Sequence, residues 1–100
     1  MKFSNYKKIE GDNMEKLLYR ICEEERKLGK LEIEKKRMFG DIWLNTDFQK
    51  ELDLKKNATE KDKTSYIRTR KDYLKICDDI VEQKAKVHYL NNVFEVRKNE

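Results

Sequence analysis

Proline is absent from this 100-residue chain and glycine occurs three times. Both absences remove the residues that interrupt regular structure and make tight turns. No apolar run approaches the roughly 18 residues of a membrane-spanning helix, and Met1-Lys2-Phe3-Ser4-Asn5 has no apolar core of an export signal. A cytoplasmic protein of a bacterial cell, with no membrane partner, is the expectation. Cysteine is nearly as scarce: Cys22 and Cys77 stand too far apart for a disulfide framework or a zinc site, which needs closely paired ligands. Both fall on apolar stripes, so they are expected to be reduced core residues, a Cys22–Cys77 bridge being the minor reading.

What the chain does have is charge. Charged residues make up 44% of it and hydrophobic ones 37%, with a mean hydropathy of −1.07. The apolar residues are nonetheless spread evenly, which separates it from a disordered polyampholyte. Abundant lysine, glutamate and leucine without proline describe long helices packed along one narrow seam. The net charge of +4 is placed unevenly. Residues 55–75 hold eight basic and three acidic side chains, whereas residues 12–34 are net acidic. A local basic excess is an electrostatic footprint for an anionic partner; its bland alternative is a solvated helix face.

The pattern predicts a first helix over about 13–44, capped by Asp12 or Asn13 after Gly11. Its seam reads Met14, Leu17, Ile21, Glu24, Leu28, Leu31, Lys35, Met38 and Ile42, at alternating steps of three and four. Gly29 and Gly40 weaken it locally and allow a bend or a close approach. Asn45-Thr46-Asp47 breaks the pattern, and a connector over 45–59 follows with a short helix over about 47–54. Thr59-Glu60-Lys61-Asp62 reads as a capping box for a second long helix over about 60–97. On that helix Tyr66, Tyr73, Ile80, Val87 and Phe94 recur every seven residues and form the core column. Ile67, Leu74, Val81 and His88 lie beside it, and Arg70, Cys77, Lys84 and Asn91 form the alternate seam column.

The architecture that follows is all-α: an antiparallel hairpin of two long helices, coiled-coil-like, in a single domain over 1–100. Folding about the connector places Glu24 across from Lys84 as an opposite-charge pair, and Lys35 across from Arg70 as a like-charge pair that hints at an external anion. A two-helix body buries little, and the extra width of the Tyr66, Ile67, Leu74 and Val81 stripe favours a homo-oligomer.

Chemistry for catalysis is missing from the sequence. One histidine, His88, sits on an apolar column, and no phosphate loop, dinucleotide, zinc-protease or nucleophile-elbow pattern occurs. The runs Glu23-Glu24-Glu25 and Asp78-Asp79 point in diverging directions on a helix. No enzyme, cofactor, metal or small-molecule substrate is expected. Binding is better supplied. Lys61, Arg68, Lys71 and Lys75 share one face of a continuous second helix, with Lys55, Lys56 and Lys63 nearby. Such a row follows phosphates without reading bases. Trp43 is the best stacking surface for an unpaired base; Tyr66 and Tyr73 are placed in the core column instead.

The connection carries a resemblance. Ile42-Trp43-Leu44-Asn45-Thr46-Asp47-Phe48, then Leu52, Ala58-Thr59-Glu60-Lys61-Asp62 and Tyr66-Ile67, resembles small all-helical proteins encoded by bacteriophages of low-GC hosts. More distantly, the layout is similar to phage recombination mediators, which load a recombinase onto single-stranded DNA as oligomeric rings. The matching parts are a basic first helix, Lys35-Lys36-Arg37, ending in aromatic Trp43, and a long second helix. The resemblance implies a nonenzymatic accessory to replication or recombination that binds single-stranded nucleic acid. A phage anti-defence inhibitor of the anti-CRISPR kind, binding a host nuclease or effector protein, is the alternative. A structural coiled-coil adaptor is the third.

Overall fold

The computed structural model describes residues 12–99. The cap expected from Asp12 or Asn13 lies outside the described side chains. Four helices follow: α1 (Asp12–Asn45), α2 (Phe48–Glu51), α3 (Glu60–Thr69) and α4 (Lys71–Lys98). The chain is an all-α antiparallel helical hairpin, with α1 and α4 its long arms.

Local chemistry explains most of the boundaries. Asp47 caps α2 by accepting the Lys50 amide at 3.2 Å. α2 is shorter than the expected 47–54 because Leu52 closes it and Asp53 enters the left-handed region at φ 52°. Aspartate is one of the few residues that takes this conformation at modest cost. The capping box is present at α3: the Asp62 amide donates to Thr59 Oγ1 at 3.2 Å, and the Thr59 amide donates to Asp62 Oδ2 at 3.0 Å.

The second arm is not one helix. Arg70 is extended (φ −69°, ψ 138°), ends α3 and starts α4. Its amide donates to the Ile67 carbonyl at 3.1 Å and its own carbonyl accepts from Leu74 at 2.9 Å, so the break leaves neither group unpaired. Asp72 holds the break: Arg70 Nε and Nη2 each donate to one of its carboxylate oxygens at 3.0 Å, and the Tyr73 amide donates to it at 2.8 Å.

The described residues cluster into two compact units, 12–30 with 80–99, and 31–79. In the first, Leu17 and Ile21 of α1 meet Leu90 and Val93 of α4, with Phe94 against them. Farther along α1, Glu24 is buried and faces Gln83 and Lys86. Rising numbers on α1 against falling numbers on α4 give the antiparallel sense. In the second unit, Ile42, Phe48, Ile67 and Tyr73 form the buried centre. Met38, Phe39, Trp43, Leu52, Ala58, Tyr66 and Cys77 surround it.

The packed face of α4 differs from the expected one. Beside Tyr73 and Ile80 the buried residues of α4 are Ile76, Gln83, Leu90 and Val93, and not Cys77, Lys84 and Asn91 of the expected alternate column, whose Arg70 lies in the break before α4. Burying Ile76 and Leu90 removes more apolar surface from water than burying Cys77 and Asn91 would, and it leaves Lys84 exposed. Val87 and Phe94 are half-buried at the edge of this face, while Leu74, Val81 and His88 are exposed. The partner of Glu24 is therefore Lys86, not Lys84. Cys22 is exposed, contrary to expectation, because it lies next to Ile21 but off the buried stripe. Cys77 is half-buried, and both thiols are free. Gly29 and Gly40 mark no close approach: a Cβ at either would have nothing within 4 Å.

Candidate functional site

The basic stretch lies wholly in the unit of residues 31–79, built on an aromatic cluster. Phe39 and Trp43 of α1 are stacked with centroids 5.8 Å apart, and Phe39 meets Tyr73 edge-on at 6.1 Å. Trp43 meets Phe48 at 6.5 Å, and Phe48 meets Tyr66 at 5.4 Å with the rings nearly perpendicular. Edge-to-face pairs of this kind add about 0.5–1.5 kcal/mol each to area burial. Phe48 is the hinge of the arrangement, since the Asp47 cap aims it between Trp43 and Tyr66.

Three cations rest on the faces of these rings. Lys63 lies 5.0 Å from the Trp43 centroid and 5.6 Å from that of Phe48. Lys35 lies 5.8 Å from Tyr73, and Arg70 lies 5.9 Å from Tyr66. The aromatic faces attract the cations through their quadrupoles. The like-charge contact expected between Lys35 and Arg70 does not form; each is drawn to a tyrosine, and Arg70 also to Asp72. These two positions thus find their partners inside the chain and call for no external anion.

The same geometry sorts the expected binding residues. Trp43 is half-buried, with its ring engaged by Phe39, Phe48 and Lys63, and Tyr66 and Tyr73 belong to the cluster. Lys63 is occupied with the rings, and Lys75 pairs with Asp79 at 3.3 Å. Lys55, Lys56, Lys61, Arg68 and Lys71 remain exposed, and none forms an ion pair among the described residues. The single row expected from Lys61 to Lys75 is split by the extended Arg70. Lys61 and Arg68, seven apart, share a face of α3, Lys71 opens α4, and Lys55 and Lys56 sit on the connector.

Carboxyl groups in this unit are tuned by their neighbours. Hydrogen bonds from Thr59 hold Asp62 below the ordinary carboxylate range, with Lys56 and Lys61 adding through space. The Arg70 guanidinium holds Asp72 down and is itself raised. In the other unit, Lys27 and Lys86 together lower Glu24, with the bond from Lys27 the larger influence.

Surface depressions near the basic stretch are lined by structural residues. One of about 350 Å³ is bounded by Leu52, Leu54, Asp62, Ser65, Tyr66 and Thr69, where Asp62 is committed to the cap of α3. Among the described residues no group of three or more histidines, cysteines and carboxylates could hold a metal ion. No helix described is long and apolar enough to cross a membrane. No family model, curated protein or solved structure matches the chain.

Two features escaped the sequence reading. The first is the Arg70–Asp72 fork, although Thr69-Arg70-Lys71-Asp72 repeats the Thr-x-x-Asp spacing of Thr59-Glu60-Lys61-Asp62 ten residues earlier. The second is the capture of Lys63 by Trp43 and Phe48, which no local spacing announces.

Proposed function

We propose that this chain is a nonenzymatic accessory protein, phage-encoded as its resemblance implies, that binds single-stranded nucleic acid and assists replication or recombination. One observation carries the reading. Within a stretch of net charge +5, the side chains with internal partners separate from five exposed basic ones, Lys55, Lys56, Lys61, Arg68 and Lys71. Exposed cations without an ion pair are the ones that can neutralise phosphates and release counterions. Their distribution over the connector, both ends of α3 and the start of α4 favours a pliable single strand, whose phosphates adjust to irregular spacing. A duplex offers fixed spacing and wants a helix or ribbon laid in a groove. Because the aromatic rings are engaged internally, the contact is to the backbone, and base identity matters little.

The test is a titration of a labelled single strand at several salt concentrations. Binding should weaken with salt, and Lys61→Glu with Arg68→Glu should weaken it further. Each lost phosphate contact flattens the log–log salt slope by about 0.7. Absence of binding at low salt, or binding indifferent to these two changes, would sink the reading.

A further inference from the structure

We infer that Glu24 and Gln83 form a register key: a buried polar layer whose role is to fix the alignment of α1 against α4 rather than to stabilise it. Of the polar and charged side chains described, these two are the buried ones, at 5% and 9% exposure, and they meet each other. Gln83 Nε2 donates to the backbone carbonyl of Glu24 at 2.8 Å across the two helices. The Glu24 carboxylate takes Lys86 of α4 at 3.4 Å through Oε1 and Lys27 of its own helix at 3.1 Å through Oε2. Both lysines bring their charge in from solvent, with half or more of each side chain exposed.

Within the unit that holds Glu24 and Gln83, the other seam positions discriminate little between alignments. On α1 these are Leu17, Ile21 and Leu28, and on α4 they are Ile80, Val87 and Leu90. These are aliphatic side chains of similar size at heptad spacing, so a slide of one heptad exchanges like for like. At the polar layer the slide is costly. Glu24 would face Ile76 or Leu90 and its carboxylate would lose Lys86, keeping only Lys27 of its own helix, while the Gln83 amide would meet the backbone carbonyl of another seam residue. A buried carboxylate deprived of its cross-helix cation disfavours such an alignment more than an aliphatic mismatch does. Replacing a complete buried polar layer by aliphatic residues is, in contrast, commonly neutral or stabilising. The layer therefore separates uniqueness from stability, and the two can be measured apart.

The experiment is the double variant Glu24→Leu with Gln83→Leu in the full chain, followed by thermal melting and backbone amide NMR. The expected result is a Tm equal to or above that of the parent, with more than one set of amide resonances for residues 12–30 and 80–98. One set of resonances with the parent's α1–α4 contacts would overturn the inference, since alignment would then be fixed without the key. A fall in Tm would overturn it as well, because the layer would be a source of stability. Gln83→Leu alone keeps the carboxylate and its two lysines, and it should retain a single set of resonances.

Discussion

Replacing Gly29 and Gly40 by alanine should raise stability by an amount that can be worked from the structure. Both lie in the interior of α1, and neither has a positive φ that an L side chain would resist. A Cβ built at either has nothing within 4 Å, so the new methyl group meets no clash and gains little packing. What changes is backbone entropy: alanine is favoured over glycine in a helix interior by about 0.5–1 kcal/mol. The sites are eleven residues apart, roughly 16 Å along the helix, and share no partner, so their effects should add to about 1–2 kcal/mol. For a chain of this size that is a Tm increase of roughly 4–15 °C. Far-UV circular dichroism melts would read it. Urea titration should show a higher midpoint with an unchanged slope, the mark of a stability change without a change in exposed surface. A Tm that stays level or falls in either single variant would refute the reasoning. It would mean that another molecule occupies the space beside that glycine in solution.

Two further outcomes follow from the caps and the charges. Thr59→Ala removes the oxygen that accepts the Asp62 amide and should cost about 1 kcal/mol, while Thr59→Ser should restore it; chemical denaturation of the three proteins decides this. Acid should destabilise the fold in a defined direction. Glu24, Asp62 and Asp72 give up their protons more readily folded than unfolded. Their contribution is therefore complete above the ordinary carboxylate range of about pH 4, and it is lost as pH falls through the lower folded values. A urea midpoint that stays flat from about pH 6 down to about pH 2 would contradict these shifts.

The helices themselves were legible because a seam of nine positions at steps of three and four leaves few alternatives for residues 14–42. Caps were legible because they are local: Asp47 and Thr59 each act on an amide three residues away. The face of α4 was not, and the reason is physical. Tyr73, Ile80 and Val87 are flanked by Leu74 and Val81 on one side and by Ile76 and Leu90 on the other, so periodicity alone permits two seams. The choice depends on what α1 presents, and Glu24 accepts Gln83 and Lys86. The break at Arg70 was hidden because no proline or glycine marks it; a charged fork spanning two residues holds it open. At the basic stretch the charge was legible in full, but its division into engaged and exposed side chains was not. That division depends on which rings lie within reach of which ammonium group.

The chain has a single tryptophan, and its position governs how unfolding will look to a spectrometer. Trp43 sits in the cluster of residues 31–79, stacked on Phe39 with the Lys63 ammonium over its ring. Its emission therefore reports the loss of that unit and is silent on the helix pairing of residues 12–30 with 80–98. Circular dichroism weighs the helices of both. A denaturation curve followed by fluorescence and one followed by ellipticity will coincide only if the two units melt together. Any gap between them measures directly how far the polar-layered end and the aromatic end share their cooperativity.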